Sequence, residues 1–492
     1  MIPRKHVIWI AIFAAVSLGG YLLVSSYTYR IGFPLDDAWI HQTYARNLVT
    51  LGEWSFVPGK PSAGSTGPLW SVLLAFGYAM GLGPYVWTYV LGWLVLLGLG
   101  LLGYVAVGIF TPERKRWRVW GAILLVLEWH LVWAAGSGME TLLFAFMVTL
   151  VLVWVVAGWG HWFLLGAMIG LCVWVRPDGV TLLAPVGVAI WLTWGERSQD
   201  WRMLTRLLAV IGLGFLLFFL PYLGFNRVLA GEWWPNTFFA KQAEYAVYRE
   251  NFIGWRLLEQ LGLPLAGVGA ALLPGVGLSW WRAWKDRRWR ILAGVAWWVG
   301  YAWLYAWRLP VTYQHGRYLM PAMPIFFIWG VAGMSLWVWP KPREMFRRVL
   351  TQAWVLIVGI VLAVFWVQGA RAYGMDVAFI ESEMVATAQW VALNTEKDAL
   401  VAAHDIGALG YFGERDLLDL AGLVSPEVIP FIRDEKQLAT YLDVEGADYL
   451  ITLGGWYPQI EDREAVLFVT EGAFSPLQGG TNMVIYRWVP GQ

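Results

Sequence analysis

Pro34-Leu35-Asp36-Asp37-Ala38-Trp39-Ile40-His41-Gln42-Thr43-Tyr44-Ala45-Arg46-Asn47-Leu48 follows directly on the first long apolar run of the chain. It sets two adjacent carboxylates at a membrane boundary, where a charge is costly unless it has a partner or a task. Pro34 suits the entry to a helix, and the two aspartates suit its first turn. On a helix, Asp37, His41, Tyr44 and Leu48 share one face, and Asp36, Ile40, Thr43 and Asn47 share the next. A surface cap and a reaction site both fit this pattern, so the rest of the chain has to decide.

The 492 residues are 59% hydrophobic and 14% charged, against about 45–50% and about 25% in a soluble domain. With 36 tryptophans and several apolar runs of about 20 residues, the chain reads as an α-helical polytopic membrane protein. The net charge of +1 gives no sign of a polyanionic partner, so nucleic acid is not indicated. Cys172 is the only cysteine, so no intrachain disulfide forms and an external domain must hold by packing. Arg4 and Lys5 precede an apolar run too long for a signal-peptide core, which predicts a retained first span.

Spans are expected at approximately 7–29, 85–110, 119–136, 139–158, 161–175, 179–194, 207–229, 263–281, 291–307, 318–338 and 349–370. That is about eleven transmembrane helices, with 68–82 read as a helix lying at the interface. The basic clusters 114–118, 197–206, 282–290 and 341–348 then share one side with the N-terminus. The positive-inside rule makes that side cytoplasmic. The acidic loop (about 30–84), the loops 230–262 and 308–317, and everything after about 371 fall outside. Ser137-Gly138-Met139-Glu140-Thr141 and Arg176-Pro177-Asp178-Gly179 lie at external span ends. Unusual polar blocks gathered on one side suggest one external cavity.

Residues 1–371 read as a transmembrane catalytic domain, and 372–492 as a small extracytoplasmic α/β domain. The tail pattern predicts a helix at 381–394 and strands at 399–403, 449–453, 466–469 and 483–488. Asp405 and Asp419, beside strand ends and glycine turns, are read as fixing those turns.

The external polar groups suit a sugar carried on a polyprenyl phosphate. Phosphate departs as an anion and needs no general acid. One carboxylate that takes the acceptor hydroxyl's proton is then enough, and Asp36 or Asp37 fills that role. Arg317, Lys241 and His315 are the candidates for holding the donor phosphate. His41, Tyr44, Trp70, Glu140, Arg176, Asp178, Asn236 and Tyr318 are the substrate-binding candidates. Plainer alternatives stand beside them. Arg176 can pair with Asp178, Glu140 can sit at a helix start, and Arg317 can pair with a carboxylate such as Asp37. No Gly-rich nucleotide loop is evident, which argues against a nucleotide-sugar donor.

Asp36-Asp37-Ala38-Trp39-Ile40 with Tyr44-Ala45-Arg46-Asn47-Leu48 resembles the first external loop of GT-C type glycosyltransferases. So does Pro58-Gly59 leading to Ser65-Thr66-Gly67-Pro68-Leu69-Trp70. The blocks 137–141, 176–179, Pro235-Asn236-Thr237 with Lys241, and Arg317-Tyr318 with Pro321 are similar to a bacterial branch. That branch includes the mycobacterial terminal arabinofuranosyltransferase of cell-wall arabinan. Asp405-Ile406-Gly407 and Leu418-Asp419-Leu420-Ala421-Gly422-Leu423 resemble its external C-terminal domain. The resemblance implies a polyprenyl-phosphate-sugar donor, an inverting transfer to an acceptor hydroxyl, and an essential aspartate in the first loop. Of the two, Asp36 is slightly preferred, because many members place the base first in the pair. A divalent metal stays open, since the chain shows no separate metal-binding motif. The rival readings are a transporter or flippase of a lipid-linked glycan, and a glycan polymerase or ligase. A transporter would set its polar groups near the bilayer midplane rather than at one face.

Overall fold

The computed structural model describes residues 2–195 (backbone only at 194 and 195), 200–338, 344–461 and 465–491. Five helices among these are long and apolar enough to cross a membrane: Arg4–Thr28, Gly83–Phe110, Trp201–Ala230, Tyr313–Val338 and Met345–Asn394. Two bent pairs raise the number to seven if each is one span: Trp117–Leu127 with Trp129–Gly136, and Ile253–Leu265 with Val268–Lys285. Shorter apolar helices cover Pro68–Ala79, Thr141–Ala157, Trp162–Val175 and Pro177–Thr193. The chain is a multi-pass membrane protein. Ten of the eleven expected spans fall on these long, bent or short helices, and 291–307 falls on the helix Trp289–Arg308, outside all three groups. Five to seven described helices are thus long and apolar enough to cross, rather than about eleven. At 1.5 Å per residue, a helix of Trp162–Val175 reaches only about 21 Å, short of a ~30 Å hydrocarbon core. Parts of the basic stretches 197–206 and 341–348 lie outside the described residues.

Charge explains the first bend. Glu128 leaves the helix with ψ 125, and its carboxylate accepts from Leu131 N at 3.2 Å and pairs with His130 at 2.8 Å. Close backbone approach explains how the helices Trp162–Val175 and Trp201–Ala230 pack. A Cβ on Gly166 would lie 2.0 Å from the Ile211 carbonyl, and one on Gly214 2.1 Å from that of Phe163. Small residues let membrane helices meet backbone to backbone in this way. The most enclosed helix is Met323–Val338, buried at every residue from Met323 to Ser335. Its N-terminal approach carries Arg317 and Tyr318, so the packed centre of the bundle fixes where these two side chains sit.

The helix Met345–Ile380 continues through a wide π-helical turn, Glu381–Val385, into Ala386–Asn394. The division drawn at 371/372 falls inside this continuous helix, because no proline interrupts it. Buried Glu383 ties the helix to the tail by accepting from Met483 N at 2.9 Å and Asn482 Nδ2 at 3.0 Å. Two short strands, β1 (Ser55–Val57) and β2 (Lys60–Pro61), pair antiparallel in the acidic loop. The tail holds β3 (Leu400–Ala403), β4 (Asp416–Asp419), β5 (Tyr449–Leu453), β6 (Ala465–Val469) and β7 (Met483–Arg487). They form one sheet in the order β4-β3-β5-β7-β6, with β3 parallel to β4 and β5, and β7 antiparallel to β5 and β6. β4 escaped the pattern reading, since Asp416-Leu417-Leu418-Asp419 sets two apolar residues between two aspartates and carries no β-branched residue. Asp419 does fix a turn: its carboxylate accepts from Ala421 N at 2.9 Å and Val424 N at 2.7 Å.

Candidate active site

Helix Asp37–Thr50, helix Asn236–Glu244, the end of helix Trp289–Arg308 and the Arg317-Tyr318 segment meet around a cavity of about 310 Å³. Asp37 opens its helix and presents Oδ2 to Arg317 Nη2 at 2.6 Å and to Lys241 Nζ at 3.9 Å. Burial works against ionisation of Asp37, but Lys241 and Arg317 together outweigh it and hold its carboxyl well below the usual range. Arg317 is 5% exposed, and its Nε and Nη1 have no hydrogen-bond partner among the described residues. Two buried donors of a fixed cation therefore wait for an acceptor, which is costly in a folded protein unless a ligand supplies it. Lys241 and Arg176 lie over the Tyr318 ring at 5.6 and 5.4 Å.

A second polar chain lines the same cavity. His41 Nε2 meets Glu140 Oε2 at 3.3 Å, and its Nδ1 meets Ser71 Oγ at 2.9 Å. Arg176 joins Glu140 at 3.8 Å and Asp178 at 3.4 Å, and donates to the Tyr305 hydroxyl at 3.0 Å. Tyr305 in turn donates to Asp178. Val180, Trp234, Phe238 and Leu304 supply apolar wall.

Asp36 is used differently. Its carboxylate accepts from Gly407 N at 2.6 Å and Ala408 N at 2.8 Å, and it does not line the cavity. The contact needs glycine, because a Cβ at 407 would lie 2.0 Å from the Asp36 carbonyl. Burial, reinforced by Asp405, pushes the Asp36 carboxyl up to about 7. A raised acid favours the folded state while protonated, so this stabilisation is full below about pH 4 and is lost as pH rises through about 7. Asp36→Asn should flatten that part of the profile, measured as the thermal midpoint across this range. A profile unchanged by the substitution would contradict the assignment.

Over residues 376–486 the chain matches a family model described as a domain of unknown function (DUF8728). No curated protein matches it. Solved structures do. ArnT from Cupriavidus metallidurans bound to undecaprenyl phosphate aligns at TM-score 0.56 and 17% identity, covering 97% of this chain and 98% of that one. The Archaeoglobus fulgidus oligosaccharyltransferase in its apo form aligns at 0.64 and 11% identity, covering 91% of this chain and 69% of that one. The fold is GT-C.

The archaeal GT-C neighbour has also been solved in complex with Zn and sulfate, at TM-score 0.64 and 13% identity over 91% of this chain and 68% of that one. The donors here do not suit a divalent cation. Asp37 faces two cations, Asp36 is turned to backbone N–H groups, and among the described residues no group of three or more His, Cys, Asp or Glu gathers as a metal site. No step below runs through a metal.

Around this cavity the structure brings together Asp37, His41, Glu140, Arg176, Asp178, Lys241, Arg317 and Tyr318. Besides Asp36, four expected residues lie elsewhere. Tyr44 is fully buried, bonded to Ser62 Oγ at 2.6 Å and accepting from Gly64 N at 2.9 Å, which ties its hydroxyl to the loop. Trp70 is spent on the Gly138 carbonyl at 2.8 Å. Asn236 reaches the Leu423 carbonyl at 3.4 Å. His315 lines a different cavity, against Asp376 at 2.7 Å, apart from Arg317 and Lys241. Tyr305, Arg308, Gln242 and Thr237 line the site unforeseen. Arg308 closing an apolar helix was the one available signal.

Proposed function

We propose that the protein transfers a single sugar from a polyprenyl-phosphate donor to an acceptor hydroxyl by an inverting single displacement. The observation that carries this is Asp37 set against Arg317 in the cavity that both line, with two further buried Arg317 donors left without a partner among the described residues. The acceptor oxygen attacks the anomeric carbon, its bond to the phosphate breaks, and the proton passes to Asp37. Arg317 and Lys241 stabilise the departing phosphate as its charge grows. The base is Asp37 rather than Asp36, which reverses the slight preference that the family resemblance implied, since Asp36 is held by the Gly407 and Ala408 amides.

The two halves are coupled by charge. Before donor binds, both cations weaken Asp37 as a base. A bound phosphate takes their charge for itself, so the Asp37 pKa climbs toward the useful range once substrate is in place. His41, Glu140, Arg176 and Asp178 then bind sugar hydroxyls, and the apolar wall takes the first isoprene units. The cavity lies on the extracytoplasmic side, with the N-terminus cytoplasmic, as the basic clusters imply. Residues up to about 371 form the transmembrane catalytic unit, and the tail is an extracytoplasmic cover. The sugar is arabinofuranose or mannose, and the acceptor a cell-envelope glycan, glycolipid or protein.

Purified protein supplied with polyprenyl-phosphate-arabinofuranose or -mannose and an acceptor panel should release polyprenyl phosphate and give product of inverted anomeric configuration. Turnover only with a lipid-linked oligosaccharide would replace this reading with a ligase. Vesicle translocation without product would replace it with a flippase.

A further inference from the structure

Arg317 stands at the end of an unusual piece of backbone. Gln314, His315 and Gly316 are consecutive left-handed residues, with φ of 52°, 58° and 70°. Two adjacent non-glycine residues in that region are strained, and such strain persists only where the surroundings over-determine it. Here they do. His315 Nε2 lies 2.7 Å from Asp376 Oδ2, and the same oxygen accepts from Trp133 Nε1 at 2.9 Å. The imidazole meets the Trp129 and Trp133 rings edge-on, at 5.3 and 5.2 Å. Gly316 takes the third left-handed position, and a Cβ there would crowd the Leu263 side chain at 2.7 Å. The turn closes with Arg317 N donating to the Gln314 carbonyl at 3.2 Å. The result is a wall with two faces. His315 faces a cavity of about 580 Å³ beside the long helix Met345–Ile380, and Arg317 faces the candidate active site.

We infer that His315 and Asp376 are a positioning pair that holds Arg317 in the donor-phosphate site from the opposite side of its own loop. This rests on the phosphate role given to Arg317 above. The pair touches no substrate. It keeps the left-handed turn wound, and the turn aims the guanidinium. Without the anchor the segment relaxes toward ordinary backbone, and Arg317 loses the fixed geometry that makes its two free N–H groups useful. Asp376 belongs to the helix that runs on into the C-terminal domain, so the aim of Arg317 is keyed to where that helix sits.

Glycine at 315 separates positioning from stability, because it removes the anchor while relieving the backbone strain. Undecaprenyl phosphate is the probe, and its Kd is measured for the wild type, His315→Gly, Arg317→Ala and the double variant, with thermal midpoints alongside. His315→Gly should weaken binding about tenfold with an unchanged or higher thermal midpoint. The double variant should bind no more weakly than Arg317→Ala alone, since the pair acts through Arg317. Asp376→Ala should repeat the His315→Gly loss. Wild-type affinity in His315→Gly, or losses that multiply in the double variant, overturns the positioning role. Wild-type affinity in Arg317→Ala overturns the phosphate site itself, and this inference with it.

Discussion

Asp37→Asn should lower kcat by about 10²–10⁴, the range a general base contributes, while donor binding is kept or tightened. Asparagine preserves the shape of the side chain and cannot take a proton. Its neutrality also releases Arg317 Nη2, which Asp37 now holds at 2.6 Å in competition with the donor phosphate. Loss of turnover with improved binding is therefore the signature of a base that shares its cation with the leaving group. Asp36→Asn should leave kcat within a few fold, since that carboxylate bonds only the Gly407 and Ala408 amides among the described residues. Steady-state kinetics with donor-binding isotherms on both variants decides the matter. A larger kcat loss in Asp36→Asn would end the assignment. The pH profiles add a second test. Asp37 is held well below the usual carboxylate range in the free protein, and bound phosphate withdraws the cations responsible. The acidic limb of kcat, which reports the complex, should thus lie at higher pH than that of kcat/KM, which reports the free protein.

Arg317→Ala should reduce kcat/KM for the donor by roughly 100-fold, the scale of removing one partner from a buried, hydrogen-bonded charge pair. The side chain is buried and offers its two open donors where no water can substitute cheaply. KM for the acceptor should change little. Lysine should restore only part of the loss, because an ammonium cannot present the planar fork that guanidinium offers to phosphate oxygens. Equal losses for donor and acceptor would mean that Arg317 holds the cavity together and does not meet the phosphate. Asp37 complicates the comparison in a useful way. Removing Arg317 leaves Lys241, at 3.9 Å, as its nearer remaining cation, so the Asp37 carboxyl should titrate at higher pH in this variant.

Much of this was legible in the chain. The apolar runs near 7–29, 85–110, 207–229, 318–338 and 349–370 fall on the five long helices, because twenty apolar residues in a row have no other stable place. Asp37, Lys241, Arg317, Glu140 and Arg176 were legible as types, because a charge beside an apolar span is conspicuous. Their meeting was an inference from sidedness, and the cavity is where it is realised. The aromatic and histidine candidates were harder. Tyr44 and Trp70 have the composition of sugar platforms, yet each spends its one polar atom on a neighbouring loop. His315 sits two residues from Arg317 and still faces a separate cavity, because the left-handed turn between them reverses the side-chain directions.

The sequence by itself determined that the chain crosses a membrane many times, that its unusual charges gather at one end of the bundle, and that an acidic pair opens the first loop. These follow from local quantities: hydropathy, charge and spacing along one segment. Only the tertiary structure decided which member of the pair meets the cations. Asp36 and Asp37 are neighbours with the same chemistry, and helical geometry points them about 100° apart. One meets the amides of a loop some 370 residues away, and the other meets Arg317 across the cavity. That choice rests on contacts between distant segments, which no local pattern encodes.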